Sequence, residues 1–194
     1  MIRILIAALL LAGCTQTPVT SPTTGAPSSA APTPTYTCSP AGGTPAPCSK
    51  EEYDKAQAEN ALIAEAEAVY RKNFDENVRI FKAGGSSKPT RVLSQTTTGT
   101  FLDQAMQDYR DVKKANLRGT GQAKIKILKP RMDVQKDGSI AALDVCTDAT
   151  ALVFKHKGVP VGNGPIVSEI VFLKRFNGIL KVFLAEGKEV DSCG

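Results

Sequence analysis

The chain has no tryptophan and a single histidine, His156. One imidazole excludes a histidine-rich metal centre, and no acid or nucleophile lies near it in sequence to suggest a serine-type triad. Cys-x-x-Cys is absent, which removes the usual zinc and thioredoxin-like spacings. The glycine pairs in "RGTG" and "GNG" lack the remainder of any phosphate-binding fingerprint and read as turns. Charge of one sign does not dominate: the net formal charge is +5. For a chain with export features, described next, that mild excess reads first as a solvated surface with a modest surplus of Lys, and secondly as attraction to anionic headgroups or wall polymers; nucleic acid is a poor candidate. Long apolar runs are missing too. Ile4 to Ala12 is apolar throughout, far short of the roughly 20 residues that span a bilayer.

That short run follows Arg3 and ends in "LAGC", Leu11 to Cys14. A basic start, a short apolar core and small residues before a cut mark a secretory signal. The four letters resemble the bacterial lipobox, and its pattern implies a diacylglyceryl thioether on Cys14, cleavage before it, and a signal peptide over 1–13. One acyl chain anchors only marginally, so the two or more of bacterial lipoproteins suit permanent tethering. The expected location is the extracytoplasmic face of the cell membrane, with membrane lipid as the first partner.

Residues 14–49 are Pro, Thr, Ser, Ala and Gly with little that is large and apolar. Such a segment cannot offset its ordering entropy by burial, so it reads as a disordered stalk. Four cysteines remain beyond Cys14, an even number in an oxidising compartment. Three pairings are possible. Cys38 and Cys48 flank the turn-rich "SPAGGTPAP", which favours joining them and leaves Cys146 for Cys193.

Residues 50–194 form the expected globular domain. Ser49 can cap a long helix carrying Glu51, Glu52 and Asp54 in its first turns, and Gly84–Gly85 can end it. Tyr53, Ala56, Ile63, Ala66, Tyr70, Phe74, Val78 and Phe81 recur at helical spacing as one apolar stripe. A second helix is expected around Phe101 to Val112, with Thr100 and Asp103 placed as a capping box and Tyr109 on its buried face. The period then changes to two. "GQAKIKIL" alternates as a strand, and Leu128 and Pro130 break it, which predicts a bulge or an edge. Asp137-Gly138 reads as a hairpin turn, "SIAALDVCTDATALVF" as one strand and "KGVPVGNGP" as a loop. Asn177-Gly178 closes a last hairpin.

Helices followed by a run of strands predict an α+β domain: a long N-terminal helix and a second helix packed on a curved antiparallel meander of about four strands. With "LDVCTDAT" in a mid-sheet strand, "VFLKRFNGILKV" as the last hairpin and a terminal "VDSCG", this order resembles the nuclear-transport-factor-like and ketosteroid-isomerase-like superfamily of cone-shaped folds. The tryptophan common in that last hairpin is replaced here, with Leu180 at about its place. The resemblance implies a pocket between sheet and helices. In isomerase-like members that pocket holds an acidic base and a Tyr or acid that stabilises an oxyanion.

Asp144 and Asp148 flank Cys146, and Tyr109 lies on the helix. Asp144 alternates out of phase with Leu143 and Val145 and is expected to face water, while Asp148 is expected to end its strand. No acid is expected on an apolar strand face. The sequence therefore favours a non-catalytic binding or interaction module of the cell envelope, taking a small apolar ligand or an envelope protein. Ile125, Ile127, Phe172, Leu180 and Val182 are the candidate pocket residues, and no catalytic, cofactor or metal-binding residue is assigned. The alternatives are a pocket enzyme of isomerase or dehydratase type and a phage-type lipoprotein that blocks superinfection.

Overall fold

The structure, a computed structural model, describes residues 35–39 and 44–194. Cys14, the signal segment and most of the stalk lie outside the described residues. Within the described part of the expected stalk there are two short strands. Strands β1 (Tyr36–Cys38) and β2 (Ala46–Cys48) pair antiparallel and are joined by the Cys38–Cys48 disulfide. So short a hairpin is marginal alone. It is held by the helix that follows it, α1 (Lys50–Ala83), through the Tyr36 ring 5.3 Å from that of Tyr53 and the Asn60 amide, which donates to Ser39 O at 3.2 Å.

Both ends of α1 are dictated locally. The Ser49 side chain accepts from Glu52 N, and the Glu52 carboxylate accepts from Ser49 N at 2.8 Å, a reciprocal cap. Gly84, left-handed at φ 92°, ends the helix. Gly85 then lets the chain turn tightly against the next long helix, because a Cβ there would lie 2.2 Å from Tyr109 O.

The second helical region divides. A one-and-a-half-turn helix, α2 (Arg91–Thr96), precedes α3 (Gly99–Lys114). The capping box expected from Thr100 and Asp103 does not form. Thr98 occupies the cap position without a side-chain bond, and its N–H donates instead to Val182 O at 2.9 Å. The start of α3 is thus docked on a strand, which replaces the local cap.

The strands make more sheet than expected. β3 (Leu117–Gly121), β6 (Leu152–His156) and β7 (Val159–Asn163) form one antiparallel sheet in the order β3-β6-β7. The second sheet contains β4 (Lys124–Pro130), β5 (Ala141–Asp148), β8 (Ile166–Phe176) and β9 (Ile179–Glu189), in the order β4-β5-β8-β9. The fold is α+β with several antiparallel sheets.

Three local corrections follow. The stretch expected as one strand from Ser139 to Phe154 is two, in different sheets. Asp148 Oδ1 accepts from Thr150 N at 3.0 Å and from its hydroxyl at 2.6 Å, an Asx-type turn that bends the chain between β5 and β6. The expected loop "KGVPVGNGP" contains β7, turned back on β6 by Lys157 and Gly158, both at positive φ. The register shift in β4 falls between Ile125 and Ile127, ahead of Leu128, although β4 is an edge strand as expected.

The core lies between α1 and the inner face of the four-stranded sheet, where Ala66 and Tyr70 meet Leu143, Val145, Val171, Leu173, Leu180 and Val182. A second cluster, Ile80, Leu93, Met106 and Tyr109, ties the three helices together. Each fully buried large side chain of this kind contributes about 1.5–3 kcal/mol. The Cys146–Cys193 disulfide joins β5 to the C-terminal tail, with Cα atoms 5.7 Å apart although β8 lies between β5 and β9. Cys193 lies past the end of β9, so the tail can cross over. Among the described residues no helix is long and apolar enough to cross a membrane.

Candidate ligand-binding cleft

The apolar stripe of α1 does not all enter the core. Ala66 and Tyr70 do, but Phe74, Val78 and Phe81 remain half-buried because they face an open space. Opposite them α3 presents Phe101, Ala105 and Tyr109. The third wall comes from the sheets: Thr147 of β5, Leu152 of β6, Val167 and Glu169 of β8, and the Leu184–Glu189 end of β9. Together these enclose a cleft of about 970 Å³, open to water on one side. That is the size range of small-molecule sites, and its walls are mostly apolar, as such sites usually are.

None of the five residues expected to line a pocket borders this cleft. Phe172, Leu180 and Val182 are fully buried, and Leu180 and Val182 are in the α1–sheet core. Ile125 packs at the margin of that core, and Ile127 is half-buried on β4. The sheet is covered by α1 where the last hairpin turns, and the cleft opens at its other end, toward Val167 and Glu189.

The expectation that no acid sits on an apolar strand face is overturned by Glu169. Strand alternation puts it on the same face of β8 as Val167 and Val171, which is the cleft and core face. Its Oε1 accepts a hydrogen bond from the Tyr70 hydroxyl at 3.2 Å. Tyr70 itself is 3 % exposed. Across the sheet Glu169 pairs with Gly187 of β9. A Cβ at Gly187 would lie 2.4 Å from the Glu169 Cβ, so a side chain there would be driven into the space the carboxyl occupies.

Burial pushes the Glu169 carboxyl above the ordinary carboxylate range, and the Tyr70 hydrogen bond opposes that shift only in part. The group is only half-covered as surface, since the cleft admits water. Protein atoms nevertheless surround it closely, and that crowding removes most of the solvent that would stabilise its charge. Burial, with the Glu169 charge adding to it, drives the Tyr70 phenol well above its ordinary value.

At the α3 side of the cleft Asp108 is also raised, first by desolvation, with Asp111 adding repulsion and a 3.1 Å hydrogen bond from Gln104 opposing both. Tyr109 donates to Asn77 Oδ1, and burial followed by the charges of Asp108 and Glu76 raises its phenol. Both tyrosines of the cleft therefore place their protons on protein acceptors.

The acids singled out in the sequence lie elsewhere. Asp144 is half-buried and pairs with Arg131 Nη1 at 2.9 Å, outside the cleft lining, in a groove with Ser168 and Glu186 that also borders Glu169, Gly187 and Lys188. Asp148 ends β5 in its turn with Thr150, whose hydroxyl and N–H hold the carboxyl below its ordinary value. His156 Nδ1 lies 3.0 Å from Ala115 O. Among the described residues no group of three or more His, Cys, Asp or Glu side chains is placed to hold a metal.

Strand phase does not single Glu169 out: in "IVSEIVFL" Val167, Glu169, Val171 and Leu173 are apolar but for one, and so are Ile166, Ser168, Ile170 and Phe172. The facing glycine could not be paired with it before the register was known.

No protein-family model matches the chain, and no curated protein does. Among solved structures, the chain is similar to the solution structure of a de novo designed β-sheet protein, at 13% identity and a TM-score of 0.33, covering 68% of this chain and 92% of that one.

Proposed function

We propose that this protein is a lipid-anchored lipoprotein of the extracytoplasmic face of the cell membrane, tethered through Cys14, whose domain binds a small, mainly apolar molecule in the cleft between α1, α3 and the sheets. The observation that carries the binding reading is the cleft itself: about 970 Å³ walled by Phe74, Val78, Phe81, Phe101 and Val167. An open apolar space of this size costs free energy when filled with water and gains it when filled with hydrocarbon. The order of helices and strands, and a pocket between helices and sheet, support membership of the cone-shaped isomerase-like superfamily.

A second reading, a pocket enzyme of isomerase or dehydratase type, draws on one observation: Glu169, a desolvated acid that could serve as base. Such chemistry also needs a free donor for a developing oxyanion. Tyr70 donates to Glu169 itself and Tyr109 to Asn77, so neither phenol is available. Binding is the better supported of the two.

Two experiments test the proposal. Filling the cleft with Ala105→Phe should weaken uptake of a neutral fluorescent dye such as Nile red by about tenfold or more, as expected when one ring displaces ligand contacts. Equal uptake by the variant would mean that the cleft is not the binding site. Separately, Cys14→Ser should move the protein from the membrane fraction to the soluble fraction, and retention of the variant at the wild-type level would exclude the thioether anchor.

A further inference from the structure

Three carboxyls line the cleft, Glu169 half-buried and Asp108 and Glu189 exposed, and among the described residues neither Glu169 nor Asp108 has a Lys or Arg partner. The titratable and polar groups lining the cleft come from α1 (Tyr70 and Asn77), α3 (Thr100, Gln104, Asp108 and Tyr109), β5 (Thr147) and β9 (Lys188 and Glu189). Glu169 also borders the groove that holds the Arg131–Asp144 pair and Glu186. Lys188 and Glu189 are both exposed at the mouth and offset each other in formal charge. The cleft lining therefore carries three acids and one base, in a chain whose net charge is +5.

A carboxyl kept from water without a cation is an electrostatic deficit that a bound cation can remove. The surroundings of Glu169 leave room for one. Tyr70 occupies Oε1 from the α1 side, and Gly187 carries no side chain to cover the carboxyl from β9. Phe74, Val78, Phe81 and Phe101 extend the cleft from there as an apolar wall.

From the apolar walls, the uncompensated Glu169 carboxyl and the side-chain-free Gly187 beside it, we propose that the cleft selects organic cations: an apolar body bearing one ammonium group, which Glu169 receives. This rests on the cleft's being a binding site and adds the class of ligand. Ammonium binding stabilises the ionised carboxyl and releases its proton, so affinity rises with pH through the Glu169 transition. A ligand offering a carbonyl to a protonated Glu169 would show the opposite slope.

The test compares octylamine, charged throughout pH 5–8, with octanol of the same chain length, by isothermal titration of the full chain. At pH 8 the amine should bind about tenfold tighter than the alcohol, the size expected for a charge-assisted hydrogen bond in a desolvated site. That preference should shrink toward pH 5. Glu169→Gln, which keeps size and an acceptor for Tyr70, should bring the ratio close to one. Asp54→Asn, in the first turns of α1 and lining neither cleft nor groove, should leave the ratio as in the wild type. Equal binding of amine and alcohol at pH 8, a preference that survives Glu169→Gln, or a preference that grows toward acid pH would each overturn the ligand class while leaving the cleft a binding site. If neither compound binds, the cleft reading falls and the cation reading with it. The wild-type pH series decides the matter without the variant, should Glu169→Gln fold poorly.

Discussion

Glu169 and Gly187 show how one residue can place a cost on a fold at a single point. The acid occupies the inner face of β8 where Val or Ile would otherwise extend the core, and the glycine opposite leaves it uncovered. Its carboxyl is raised by burial, so the folded state holds a proton that the unfolded state has already lost. The sign follows. Below the ordinary value of 4.5 both states are protonated and the acid costs nothing in charge. As pH climbs from there to the raised value, the wild type loses stability relative to Glu169→Gln, and the difference is constant above it. Urea unfolding midpoints at pH 4, 6 and 8 should show the variant gaining on the wild type as pH rises. Glu76, lowered by Arg79, has the opposite slope, but it is present in both proteins and cancels in the difference. A gap that stays constant or narrows with pH would mean that Glu169 ionises as freely in the fold as outside it. This site residue was not legible from strand phase, because each face of β8 reads as apolar with one polar member, Glu169 on one and Ser168 on the other. Asp144 and Asp148 drew attention by lying close together around Cys146, yet closeness in sequence along a strand puts alternate side chains on one face without saying which face.

Among the elements, those with a complete local signal were legible and those made by their neighbours were not. Ser49 with Glu52, Gly84, and Asn177 with Gly178 each carry their own geometry, and α1 and the β8–β9 hairpin lie where they predict. β7 contains Pro160 and Gly162, poor strand residues, and exists because β6 pairs with it along one edge. The β5–β6 break hides inside a continuous apolar run, and its sign is the Asp148–Thr150 turn. The β1–β2 hairpin was hidden by the composition around it: a Pro/Thr/Ser-rich segment reads as disorder unless the disulfide and the Tyr36–Tyr53 contact are known. Its behaviour on losing the bridge follows from its size. Closing a loop of 10 residues is worth about 2–3 kcal/mol in the chain-entropy model, but the loop is local and touches the domain on α1 alone among the helices. Cys38→Ser with Cys48→Ser should therefore abolish amide-exchange protection in Tyr36–Cys38 and Ala46–Cys48. Protection around Ala66 and Tyr70 should persist, and the melting temperature should move by a few degrees at most. Loss of protection across α1 would show that the hairpin is part of the cooperative unit.

For the molecule as a whole, the cleft is the feature a sequence is least able to display, because it is a relation between α1, α3 and two sheets. Local pattern specified which faces are apolar; whether a face ends in core or in open space depends on how far the opposing element reaches. The stripe of α1 that is core at Ala66 and Tyr70 becomes cleft wall at Phe74, which packs against that core and also borders the open space. An architecture with a space at one end needs that end held together, and the second disulfide does this. Cys146 lies on β5 beside Thr147, which lines the cleft, and Cys193 follows the end of β9, whose residues 187–189 line it too. The bridge spans 47 residues and encloses the β6–β7 hairpin, β8 and β9. Unlike the first bridge it closes a long loop that contains four strands of the domain. Its removal should cost about 4 kcal/mol by chain entropy. At 2–4 °C per kcal/mol for a domain of this size, Cys146→Ser with Cys193→Ser should lower the melting temperature by about 8–16 °C. Dye uptake by the cleft should fall as well at temperatures well below melting, because the tail that follows β9 is released first. Calorimetry beside Nile red titration at 25 °C separates the two effects. A large drop in melting temperature with unchanged uptake would make the bridge a staple of the unfolded ensemble alone, with no part in holding the cleft open.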